Sequence, residues 1–302
     1  MRQRAGFVLI LAGLVWCGAA VAGSPAGELL GYVPGDVEMA LGINLESLTR
    51  HRAFDRLHHT LDTAEFDALC EAIDAYAGVN LLRDVRGFVL AGDLEEGGKG
   101  LVLLKGTWYQ ENLIGLVASN PEYAEQMYAG IPVHVWRDEN SGKMSHAAFL
   151  ARDVLAISEW PELLRQAIDA SAAASQALAS RAGALNADVD AFLIAWRPSA
   201  ADSALAQNPA LGRLRSAVIE LRAGDSDALL SAQGQAEDAH NAQLLADLVR
   251  GAVAMAQLHL ADAGPLWQVA TEARGAQIEA SVRVPIESIL AAVGEFRPAA
   301  VR

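Results

Sequence analysis

The stretch VRGFVLAGDLEEGGKGLVLLKGTW, Val85 to Trp108, decides the fold. Two apolar runs, Val85–Gly92 and Gly100–Trp108, flank LEEGGK, a turn of charges and glycines. Apolar runs of this length joined by a short Gly-containing turn pair as an antiparallel hairpin. A hairpin needs no crossover helix, so the sheet built on it is antiparallel, with one face packed on a core.

Upstream, Pro34-Gly35-Asp36 is a turn signal, and Val37 to Leu45 alternates as a strand does. Two helical patterns follow. Ser47–Leu61 lines up Leu48, Phe54, Leu57 and Leu61, and Ala64–Tyr76 starts after Thr63 as N-cap. Downstream, a helix over Gln110–Ser119 is closed by Asn120-Pro121. Ile131–Arg137 and Met144–Ser158 are strand material around the turn Asp138–Gly142, and Trp160-Pro161-Glu162 opens a helix to about Ala170.

After the Ala/Ser-rich segment Ser171–Asn186, the order of elements begins again. Val189–Trp196 reads as a strand and Leu205–Leu214 as helix, while Ala217–Arg222 and Ala228–Gly234 flank the turn AGDSD. Asp238 caps a long helix carrying Leu244, Leu245, Leu248, Val249, Ala252, Val253 and Ala256. Trp267–Ala273 and Ala276–Val284 pair around Arg274-Gly275, and Val284-Pro285-Ile286-Glu287 opens a last helix. The expected class is α+β: antiparallel sheets with helices packed on one face. Two pattern-related halves are each read β-α-β-β-α-β-β-α, the first with an extra helix. The boundaries are a signal peptide at 1–22, a short linker at 23–30, a first half at 31–170, a connector at 171–186, a second half at 187–296 and a tail at 297–302.

The N-terminus reads as an export signal. Arg2 and Arg4 precede the apolar run Phe7–Trp16, and Ala20-Val21-Ala22 offers a cleavage site between Ala22 and Gly23. Cys17 follows Leu14-Val15-Trp16; a lipid-anchoring site takes a small residue where Trp16 stands, so Cys17 is assigned to the discarded signal. The expected location is periplasmic or extracellular, with membrane anchoring through a retained signal or a lipidated Cys17 as the alternative.

The formal net charge is -14, and removing residues 1–22 makes it two units more negative. Lysine occurs only at 99, 105 and 143, and no basic cluster exists to neutralise phosphates, so nucleic acid is not an expected partner. Cys70 lines up with Phe66, Leu69 and Ile73 on one helix face, the position of a small buried hydrophobe rather than a reactive thiol.

Candidate chemistry is sparse. His51, Asp55 and His59 recur every four residues on one helix face and form a weak candidate metal site; the spacing matches no established zinc signature. His134 and His146 fall on facing strands of one hairpin, where a pH-sensitive pair or simply the outer face of the sheet is expected. G-x-S-x-G, S-x-x-K, G-x-x-x-x-G-K-[ST] and G-x-G-x-x-G are absent from the sequence, and no cofactor is expected.

The segments YVPGDVEMALGINLESL, NLLRDVRGFVLAG and LLKGTWYQENL resemble a group of exported bacterial proteins of unknown function. Those open on a Tyr/Leu-Val-Pro-x-Asp turn before a strand, matched here by Tyr32-Val33-Pro34, and later carry an aromatic residue where Trp108 stands. The resemblance implies export and a duplicated α+β fold, and carries no active site. A non-catalytic envelope or periplasmic protein that binds a protein or small ligand is therefore the expected function. A hydrolase with a site between the halves and a carrier of apolar ligands are the alternatives.

Overall fold

The computed structural model describes residues 24–52, 54, 56, 67, 70, 71, 73–75, 78–93, 98–138, 141–173, 185, 189–196, 211–259 and 267–289. They form an α+β protein of antiparallel strands and helices that divides into two compact units.

One unit comprises residues 20–46 and 64–187. Its strands are β1 (Met39–Ile43), β2 (Val85–Gly92), β3 (Gly100–Gly106), β4 (Ala124–Tyr128), β5 (Ile131–Arg137), β6 (Met144–Ala151) and β7 (Val154–Ser158). They run in the order β1-β2-β3-β7-β6-β5-β4, each antiparallel to its neighbours. The hairpin expected from Val85–Trp108 is present, with Val89 opposite Leu103 and Leu90 opposite Val102. Alternation then sorts the side chains. Val89, Ala91, Leu101, Leu103 and Ala156 are buried on one face, while Phe88, Leu90, Val102, Leu104 and Ile157 are half-buried or exposed on the other.

Three labelled helices belong to this unit: α1 (Pro25–Leu29), α2 (Gln110–Ala118) and α3 (Pro161–Ala173). The expected linker at 23–30 is corrected by α1. Ser24 Oγ accepts from the Gly27 N–H at 3.0 Å, Pro25 fills the first turn, and Ala26, Leu29 and Leu30 are buried. Gly87 permits this packing, because a Cβ there would stand 2.8 Å from the Ala26 backbone nitrogen. α3 buries Leu163, Leu164, Ala167 and Ile168 along one side, each large side chain contributing roughly 1.5–3 kcal/mol. Two features were not expected. The polar strand β4 pairs with β5, and a turn at Arg152-Asp153 splits Met144–Ser158 into β6 and β7.

The other unit comprises residues 47–63 and 188–302 together with 1–19. Its strands are β8 (Ala191–Trp196), β9 (Leu214–Ala223), β10 (Asp227–Ala236), β11 (Gln268–Arg274) and β12 (Gln277–Pro285), in the order β8-β9-β10-β12-β11, all antiparallel. Gly275, at φ 58°, takes the left-handed conformation that lets a two-residue turn return β11 into β12. The helix expected over Leu205–Leu214 is corrected within the described residues. Leu211–Arg213 is a 3-10 turn and Leu214 already belongs to β9. The long helix is α4 (Ala239–His259); its Ala242, Leu245 and Ala246 pack on Ala236 and Ile278, with Leu214 and Ala273 alongside. Among the described residues no helix is long and apolar enough to cross a membrane.

Candidate functional site

Helix α4 starts where the sequence says it should. Asp238 Oδ1 accepts the Asn241 N–H at 2.8 Å, and this bond holds its carboxyl below the usual range. What distinguishes α4 is that it is apolar on two opposite sides. Ala242, Leu245 and Ala246 face the sheet and are buried. On the far side Leu244, Leu248, Met255 and Leu258 are 44%, 41%, 62% and 78% exposed. With Gly251 between them, the intervals along the chain run four, three, four, three. At 100° per residue these five positions fall within an arc of about 80° and extend about 21 Å along the axis.

Beside this outer stripe lies an open groove of about 460 Å³ between α4 and β11. Val253, Ala254, Val269 and Ala270 supply apolar lining, and Arg250, Gln257 and Thr271 the polar groups. Arg250 donates to Asp247 and, at 3.4 Å, to the Thr271 carbonyl; Gln257 donates to the Trp267 carbonyl at 2.9 Å. The Thr271 hydroxyl is buried without a partner. Among the described residues the lining holds no His, Cys, Asp or Glu. Its volume is in the range of ligand pockets, and its chemistry is that of a contact surface.

Of the sequence-derived candidates, the two strand histidines can be placed in full. His51 is half-buried, while Asp55 and His59 lie outside the described residues, as do Cys17, Ala22 and Gly23. Among the described residues no three His, Cys, Asp or Glu side chains are grouped to hold a metal. His134 stands opposite Ala147 and His146 opposite Val135, so the two imidazoles leave opposite faces and form no pair. Nor is His134 on an outer face. It is 4% exposed, with Tyr123 Oη 2.9 Å from its Nδ1 and the two rings stacked. Burial pushes both imidazoles below their ordinary value, Glu125 opposing this at His134 and the Ser158 backbone at His146. His146 adjoins a second recess of about 40 Å³ with Tyr128 and Arg165, room for a water molecule or two. Cys70 is buried as expected, and burial, then Asp67, pushes its thiol up.

Among the buried charges not singled out from sequence are Lys105 and Asp190. Lys105 is half of a built network: its ammonium lies 2.7 Å from Asp153 and 2.8 Å from Glu28 of α1. Burial works to lower its pKa, but the two carboxylates overcome this and raise it above the ordinary value. Asp190 is only partly satisfied. It is 1% exposed, Oδ2 accepts the Ala223 N–H at 3.2 Å, the Ser47 hydroxyl bonds to it, and Oδ1 is buried without a partner. Burial drives its carboxyl up to about 7 against the pull of Ala223, Ser47 and nearby Arg222.

No protein-family model matches the chain, and no curated protein matches it. Solved structures of TP0453 are similar in trace. Crystal form I is 9% identical with a TM-score of 0.48, covering 88% of this chain and 96% of its own; form III is 8% identical with a TM-score of 0.47, covering 88% and 98%.

Proposed function

We propose that this is an exported protein that works without catalysis, by binding through the outer side of α4 and the adjoining groove. The outer stripe carries this reading. An apolar row two-fifths to four-fifths exposed on a helix docked by its opposite side is the kind of surface that partners bind. The export signal, the acidic charge and the lack of catalytic signatures in the sequence support the same conclusion. Both units also follow one plan: a three-strand meander, a helix, then returning strands whose last member pairs with the third, β7 on β3 and β12 on β10. This favours descent from a repeated unit, with β4 and the split of β6 from β7 as additions to the first copy.

The test is site-specific photo-crosslinking in the producing cell. A photoreactive residue at Leu258 is expected to give adducts in the envelope fraction, with the protein's N-terminus at Gly23. A photoreactive residue at exposed Arg152 gives none. Equal adduct yields at the two positions overturn the assignment of the surface.

A further inference from the structure

We propose that the edge strand β4 is a strap that acid releases: ionisation of His134 and His146, which lie against it on opposite faces of the sheet, frees the strand from β5. This is independent of the surface on α4. By its own composition β4 is weakly held. Four of its five residues are exposed, Met127 among them, so it buries little apolar surface. The two-residue turn into β5 sets Ala129 at φ 51° beside Gly130 at φ 81°, and the left-handed region is unfavourable for the alanine. Side chains fasten its two ends, Glu122 to Arg137 at 2.7 Å and Tyr128 to Asp169 at 2.9 Å. Between those points the strand lies over the imidazoles.

On one face His134 stands opposite Glu125 of β4, and Tyr123, just before the strand, stacks on its ring. The Tyr123 hydroxyl is 2.9 Å from Nδ1. A charged imidazole carries a donor at both nitrogens, so Nδ1 can no longer accept that hydroxyl's hydrogen. Glu125 favours the charge, but its carboxylate is half-exposed and 3.9 Å away, and burial outweighs it. β6 places uncharged Ala147 opposite His134, and α2, which packs on β5, carries only the exposed charge of Glu111.

On the other face His146 lines the small recess with Gln126, Met127 and Tyr128 of β4 and Arg165 of α3. Its Nδ1 is buried without a hydrogen bond, so a proton taken up there gains no acceptor. Burial and the Arg165 guanidinium oppose the charge, while the Ser158 backbone and Glu162 favour it; Glu162 is itself paired with Lys99 at 3.0 Å. Arg165 also stacks on the Tyr128 ring, 5.6 Å from its centre, so a charge on His146 disturbs the contact that fastens this end of the strap.

With β4 in place both imidazoles are held below their ordinary 6.5; with β4 lifted, water reaches them and that value returns. The closed strap is therefore at full strength above about pH 6.5 and weakens as the pH falls below it. At pH 5 each imidazole shifts the opening equilibrium by at most about thirtyfold.

Amide hydrogen exchange of the purified protein at about pH 7.5 and about pH 5 reads the strap, expressed as protection factors that remove the pH dependence of exchange itself. Protection across Ala124–Tyr128 is expected to fall at least about tenfold at the lower pH, while Gly100–Gly106 of β3 keeps its protection. His134→Asn, which retains an acceptor for Tyr123, combined with His146→Gln is expected to abolish the fall. Glu125→Gln, at an exposed position, removes the charge that favours ionised His134 and is expected to enlarge the fall. Equal protection of β4 at both pH values, a fall shared equally by β3, or a fall that the double variant keeps overturns the strap. A fall that Glu125→Gln reduces overturns the part given to His134.

Discussion

Helices α3 and α4 divide the molecule between what is finished and what is not. α3 has one apolar stripe, Leu163, Leu164, Ala167 and Ile168, and its own unit buries all of it. α4 has two stripes and its unit buries one. The buried charges repeat the contrast. In the seven-stranded unit Lys105 meets two carboxylates, whereas in the five-stranded unit Asp190 keeps one oxygen without a partner. A buried group that is half-satisfied makes its surroundings sensitive to proton uptake. The five-stranded unit thus carries the buried carboxylate oxygen without a hydrogen bond and the exposed apolar row.

The largest effect that can break this contrast is on pH. The Asp190 carboxyl sits at about 7 folded against 3.8 as its ordinary value. The folded state holds that proton more tightly, so the contribution is complete below pH 3.8 and is lost as the pH rises through about 7. Urea unfolding of wild type and Asp190→Asn at about pH 4 and about pH 8 should show the wild type losing about 4 kcal/mol relative to the variant. Parallel behaviour would mean that Asp190 is as well compensated as Lys105. Next in size is Leu164→Ala, expected to cost about 3 kcal/mol by the same measurement. A cost below about 1 kcal/mol would show that α3 is no better packed than α4. Gly251→Ala should stabilise the protein by about 1 kcal/mol, seen as a rise in thermal midpoint. Smallest is Leu258→Ala, expected to stay within about 0.5 kcal/mol of wild type in dilute solution. A larger loss would place that side chain among the core contacts of its own chain.

Most of the architecture was legible because burial writes a period into the sequence. The hairpin of β2 and β3, the strands of the five-stranded unit and the two proline-started segments at Pro161 and Pro285 all stand where their patterns put them. β4 escaped because AEQMY is polar and four of its five residues are exposed, so it alternates nothing; it is held by its ladder to β5 and by Tyr128 donating to Asp169 at 2.9 Å. α1 escaped because SPAGELL reads as turn material. Its stability comes from the Ser24 cap and from β2 offering Gly87 as a seat, which is tertiary information. In α4 the apolar positions were visible, including Leu244 and Leu248, but a sequence does not say which side the sheet will take. Asp190 was invisible for the same reason, since an aspartate at a strand entrance gives no sign that the chain will close over it.

The lysines have one more consequence. All three of them, Lys99, Lys105 and Lys143, belong to the seven-stranded unit, and each is engaged: Lys99 with Glu162, Lys143 with Glu159 and Lys105 with its two carboxylates. Reagents that modify side-chain primary amines therefore write on one unit alone. Lys99 and Lys143, about half exposed, take the label, and Lys105 is shielded. A dye coupled this way becomes a built-in reporter of one half of the protein, leaving α4, which has no lysine, chemically untouched.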